Sequence, residues 1–161
     1  MRCAACPAAS KCLYPGDQNE TQIKKVGTTK RIVIYGLGAV GGVSGAARVG
    51  AGHNVLGIAR GGMLHALQQA PLRMRSAAGL SEALLSVAAH PDDIDWQPDD
   101  LILLTMKTQD TTPALNALRA AGVRDQAIFC FQNGISNEDM ALRRFPNVHG
   151  VTVMMPATYL T

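Results

Sequence analysis

Residues 31–42 read RIVIYGLGAVGG: an apolar run over 32–35 enters a Gly-x-Gly-x-x-Gly turn made by Gly36, Gly38 and Gly41. In a chain with 16 glycines, that spacing alone means little. Its neighbours give it meaning. Helix-like sequence follows from Val40 to about Ala51, and a second apolar run, over 54–59, ends in Arg60. Strand, glycine turn, helix and strand make a β-α-β unit of roughly 30 residues, the setting in which such a turn binds a dinucleotide.

Each glycine has its own task. Gly36 lets the chain turn sharply out of the strand, Gly38 lets the backbone approach a pyrophosphate, and Gly41 lets the helix pack on the strand. Leu37, Ala39 and Val40 lie between them. The positive end of the helix dipole and its free N–H groups then face the phosphates. The alternative is a glycine-rich turn that binds nothing.

The end of the second strand selects the cofactor. NAD-binding versions place an Asp or Glu about 20 residues after the glycines, against the ribose 2′-hydroxyl. Here that position falls at Ala59-Arg60, and the next acid along the sequence is Glu82. A guanidinium hydrogen-bonds a 2′-phosphate through its fork of donors, whereas a carboxylate repels it. Arg60 therefore points to NADP(H), the alternative being an ordinary surface arginine.

The rest of the chain fits one α/β domain. Its 161 residues are 47% hydrophobic but only 4% aromatic, so the core is built from Ala, Val, Leu and Ile. The formal charge of +3 is too small for a nucleic-acid footprint, and no basic stripe accompanies it. No apolar run approaches the roughly 18 residues of a membrane span, and the N-terminus lacks the apolar segment of a secretory signal, so a cytoplasmic location is expected. Residues 1–29 read as a flexible extension before a domain over 30–161. Cys3, Cys6 and Cys12 lie in that extension without a fourth zinc ligand nearby, and Cys130 reads as a buried, inert thiol. No metal site is expected.

Further elements follow in order. A short helix over 61–69 stops before Pro71, and short strands are expected over 72–76 and 83–88. Asp92, Asp93, Asp95, Asp99 and Asp100 form an acidic loop that reads as solvated. The apolar run 101–106, LILLTM, reads as a central parallel strand ending at Lys107. Thr112 is expected to cap a helix that has Pro113 in its first turn and closes at Gly122. A buried strand over 127–131 ends in Gln132-Asn133-Gly134, and a helix over about 137–144 and a last strand over 148–154 complete the pattern. This alternation predicts a doubly wound, mostly parallel sheet of Rossmann type with helices on both faces. Ligands of such sheets sit at the carboxyl ends of the strands, where the glycine turn, Arg60, Lys107 and Asn133 converge. For Lys107 the alternative is a lysine reaching into water, and for Asn133 a turn residue before Gly134.

Four segments in order, GLGAVGG, AGHNVLGIARGGMLHAL, DDLILLTMKTQDTTPAL and FQNGISNEDMALRRFP, resemble the N-terminal domain of the ketopantoate reductase (2-dehydropantoate 2-reductase) family. The resemblance runs from about Lys30 to Thr161; MKT and QNG after buried strands are its more specific parts. It implies hydride transfer from NADPH to a 2-keto acid such as 2-dehydropantoate, in pantothenate biosynthesis. It also implies that residues 36–41 wrap the pyrophosphate and that Arg60 binds the 2′-phosphate. Lys107 would lie toward the ribose and nicotinamide, and Asn133 would touch both nicotinamide and substrate.

The family's catalytic lysine belongs to a second, helical domain, and no lysine follows Lys107 here, so no catalytic residue is assigned. The expectation is NADPH binding with little turnover, and a face left open to self-association. Two other readings stay open: an NADP(H)-binding module or remnant without chemistry, and a related two-domain dehydrogenase of another 2-keto or 3-hydroxy acid.

Overall fold

The computed structural model describes residues 30–77 and 79–158; the extension over 1–29, with Cys3, Cys6 and Cys12, lies outside the described residues. The elements in chain order are β1 (Ile32–Tyr35), α1 (Ala39–Gly50), β2 (Val55–Ile58), α2 (Gly61–Gln69), β3 (Leu72–Ser76), β4 (Gly79–Ala83), β5 (Ser86–Ala88), β6 (Leu101–Leu104), α3 (Thr111–Ala120), β7 (Ala127–Cys130), α4 (Ser136–Leu142) and β8 (Val148–Gly150). Six strands form one sheet in the order β5-β2-β1-β6-β7-β8, every neighbouring pair parallel. β3 and β4 form a separate antiparallel hairpin within the crossover from β2 to β5.

Strands covered on both faces need apolar side chains at successive positions, which is why IVIY and LILL carry no polar alternation. One face presents Ile102, Leu104, Ile128 and Cys130 to Leu115 and Leu118 of α3 and to Ala141 and Phe145 at α4. The opposite face presents Ile32, Ile34 and Leu103, packed with Val49 of α1 and with Met63, Leu64 and Leu67 of α2. Small residues let α1 lie close on the sheet: Gly41, Gly42, Ser44, Gly45 and Ala46 are its buried positions. The doubly wound architecture inferred from the sequence is the one observed.

Several boundaries differ from the sequence reading. The run 83–88 is not one strand. Ala83 pairs with Leu72 in the hairpin, Leu84 points to solvent at 78% exposure, and only Ser86–Ala88 joins the main sheet beside β2. The last strand stops at Gly150, because β7, its partner, ends at Cys130. Thr112 does not cap α3. A short 3-10 turn over Thr108–Asp110 runs directly into the helix, so Asp110 holds the cap position and Thr112 lies inside. α4 spans Ser136–Leu142 rather than 137–144.

Asp100 departs most from the acidic loop's reading as solvated. Its side chain is fully buried and accepts Arg31 Nε at 2.9 Å, Arg31 Nη2 at 2.6 Å and the Gln97 N–H at 2.8 Å. The pair fastens the start of β1 to the loop before β6 and holds the Arg31 guanidinium above its ordinary pKa. Removing one partner of a buried pair typically costs 3–5 kcal/mol, and Arg31 retains some access to water. Asp100→Ala is therefore expected to lower the unfolding free energy by about 2–3 kcal/mol in urea titrations, whereas Leu84→Ala should stay within about 0.5 kcal/mol.

Candidate functional site

The strand order reverses between β1 and β6, so the loops leaving these neighbours diverge and open a crevice at their carboxyl ends. On the β1 side the chain turns at Gly36, whose φ of +102° suits glycine. A Cβ there would lie 3.1 Å from the Met106 nitrogen, across the crevice floor. Gly41, one turn into α1, faces the same point. A Cβ on it would run into the Gly36 carbonyl oxygen and come within 2.6 Å of Thr105 Oγ1. That hydroxyl belongs to the residue after β6 and donates to the carbonyls of Gly36 and Tyr35. Turn, helix and β6 loop are thus fastened together at one spot.

Gly38 differs from both. It holds the cap position of α1 in extended conformation, and a Cβ built on it meets nothing within 4 Å. No side chain caps the helix and no acid occupies its first turn, so its leading N–H groups remain available to an anion. The residues present fit a pyrophosphate: open space at Gly38 beside unpartnered donors. Ala39 and Val40 form the first turn and are half-buried. Leu37 points the other way. It is 2% exposed and fills the space that a Cβ on Gly57 of β2 would need, only 2.9 Å from Leu37 Cγ. It anchors the turn in the core, and only its backbone can meet a ligand.

Arg60 follows β2 and holds the cap position of α2 without a side-chain cap bond, its side chain 82% exposed. Its Nη2 donates to Asp110 Oδ1 at 3.0 Å, a contact between residues 50 apart in sequence. The half-buried Tyr35 lies close enough to feel both charges. Burial pushes its hydroxyl pKa up, Asp110 adds to that, and Arg60 opposes it.

Lys107 is exposed at the end of the β6 segment and makes no ion pair with any described residue. Asn133 is exposed ahead of Gly134, whose φ is +93°. Behind these two runs a buried polar chain. Gln132 Nε2 donates to the Met106 carbonyl at 2.8 Å and to Thr111 Oγ1 at 2.7 Å. Thr111 donates to Asn137 Oδ1 at 3.0 Å, and Asn137 Nδ2 to the Asn133 carbonyl at 3.3 Å. The backbone next to Lys107 is thereby tied to the backbone of Asn133. Thr105, Asp110, Thr111, Gln132 and Asn137 were not singled out from sequence. Their one signal there is that they flank the polar residues at the ends of apolar runs.

Cys130 is fully buried, and its thiol pKa rises to about 11 through burial, reinforced by Glu138. Among the described residues no three His, Cys, Asp or Glu gather around a common point, and none of the described helices is long and apolar enough to cross a membrane.

A family model described as Ketopantoate reductase PanE/ApbA matches residues 32–160. A 2-dehydropantoate 2-reductase of Pyrococcus horikoshii is 34% identical over 68% of this chain and 35% of its own length. One from Archaeoglobus fulgidus is 33% identical over 75% of this chain and 38% of its own. The chain thus spans little more than a third of these relatives. Among solved structures, a PanE/ApbA family ketopantoate reductase from Ralstonia eutropha superposes with a TM-score of 0.68 at 29% identity, over 74% of this chain and 40% of that one. A D-mandelate dehydrogenase in a ternary structure with NADH and anilino(oxo)acetate gives a TM-score of 0.71 at 25% identity, over 80% and 42%.

The glycines are separable by experiment. Gly41→Ala drives a methyl group into backbone and should cost about 1–3 kcal/mol of stability, read from denaturant midpoints. Gly38→Ala, which adds the same methyl to open space, should change stability by less than about 0.5 kcal/mol.

Proposed function

The chain belongs to the ketopantoate reductase family, and we propose that it is the NADPH-binding part of a reductase that delivers hydride to a small 2-keto acid such as 2-dehydropantoate, in pantothenate biosynthesis. The observation that carries this reading is the open space at Gly38 beside uncapped helix N–H groups, with the exposed Arg60 guanidinium after the neighbouring strand β2.

In this reading the N–H groups at the start of α1 hold the pyrophosphate, and no substituent on Gly38 stands in its way. Arg60 presents donors to the adenosine 2′-phosphate in the fork geometry that suits phosphate oxygens. Lys107 offers a mobile ammonium toward the ribose and nicotinamide end. The Asn133 amide donates to one partner and accepts from another, so it can orient nicotinamide and keto acid together. The chain through Gln132, Thr111 and Asn137 keeps the Lys107 and Asn133 backbones at a fixed separation, as transfer between two bound molecules requires. When bound, the nicotinamide supplies the hydride. Proton delivery to the reacting carbonyl is assigned to no residue of this chain.

We place the protein in the cytoplasm, where such a cofactor and acid are met. Exposed Ile135 and Met154, at 93% and 89%, offer apolar surface for self-association.

Calorimetric titration tests the reading. The chain should bind NADPH more tightly than NADH. Arg60→Ala should weaken NADPH by about 1.5–3 kcal/mol, as for a lost charged hydrogen bond, and leave NADH nearly unchanged. Gly38→Val should abolish both. Equal losses for the two cofactors in Arg60→Ala would make Arg60 structural, and retained NADPH affinity in Gly38→Val would remove the glycine turn from the site.

A further inference from the structure

The second strand brings no carboxylate to the adenosine end, yet the fold supplies one from elsewhere. Asp110 arrives from the loop after β6 and meets Arg60 at the end of β2, so the pair spans the carboxyl end of β1, which lies between those strands. The contact joins one guanidinium nitrogen to one carboxylate oxygen at 3.0 Å. With Arg60 82% and Asp110 35% exposed, this is a surface ion pair of the kind that contributes little to stability. Asp110 forms no side-chain cap on α3 either, although it occupies the cap position. Neither helix capping nor stability accounts for a carboxylate at this spot.

Its effect on a ligand is electrostatic. A 2′-phosphate that docks on Arg60 carries nearly two negative charges and comes within several ångströms of Asp110. The two anions share one cation and repel each other. A ribose 2′-hydroxyl in the same place brings a donor that a carboxylate accepts. Arg60 and Asp110 thus favour opposite cofactors.

Resting on the cofactor reading above, we propose that Asp110 is a specificity-determining residue of the adenosine end: it stands in space for the carboxylate missing after β2, opposes the 2′-phosphate that Arg60 attracts, and keeps the site open to NAD(H). Coulomb repulsion across about 6 Å of water-like medium, partly screened by salt, corresponds to roughly a three- to tenfold effect on affinity.

Asp110→Asn preserves size and removes the charge. The wild-type chain and this variant are titrated with NADP⁺ and with NAD⁺, each at low and at high ionic strength, with thermal melts confirming equal folding. The expected result is a three- to tenfold gain in NADP⁺ affinity that shrinks at high salt, while NAD⁺ affinity stays level or falls. A loss of NADP⁺ affinity would overturn the inference, because Asp110 would then be holding Arg60 in its binding pose. Equal changes for both nucleotides would overturn it as well. Wild-type chain that binds neither nucleotide would defeat the cofactor reading itself, and this inference with it. The same loss seen only in the variant would defeat this inference alone.

Discussion

One backbone contact governs the rest of the molecule. The Gly36 carbonyl sits so close to the α carbon of Gly41 that no side chain fits between them, and the Thr105 hydroxyl closes the same point from the β6 side. That contact draws the start of α1 onto the sheet between its two central strands. Leu37 is driven under β2 into the gap left by Gly57. Gly38 is left on the outside with open space before it.

The crevice above that contact draws on four strand ends, and its two halves differ physically. The half near Arg60, Asp110 and Tyr35 is exposed and charged, held by an ion pair that water can compete for. The half near Lys107 and Asn133 rests on uncharged hydrogen bonds buried beneath the surface, among Gln132, Thr111 and Asn137. Buried networks fix geometry because each group is costly to leave unpaired. An adjustable charged end suits recognition of the far end of a cofactor, while a rigid end suits alignment of reacting groups.

The parts of this arrangement that were legible in sequence are those determined by short-range pattern. The run IVIY followed by three spaced glycines has one economical solution, and LILL and AIFC read as buried strands because nothing polar interrupts them. What escaped depends on tertiary context. Thr112 before Pro113 looks like a helix cap, and only the 3-10 turn entering at Thr108 shows that it lies inside the helix. The run 83–88 is apolar apart from Ser86 and reads as one strand, yet Ala83 and Ser86 pair with different strands. Asp100 sits among solvated acids and is itself buried by a partner 69 positions away. Asp110 is the instructive case: sequence locates no acid near Arg60, because the chain brings one from 50 residues on.

The proposed nicotinamide-nucleotide site lies at the carboxyl ends of the parallel strands. Amide chemical-shift mapping of the isotope-labelled chain titrated with NADP⁺ tests it most directly. Saturable shifts confined to residues 36–42, Arg60, residues 107–111 and residues 132–134 are expected, with the β3–β4 hairpin unmoved. Shifts that cluster on the hairpin or on α4, or their absence from a well-dispersed spectrum, would contradict it.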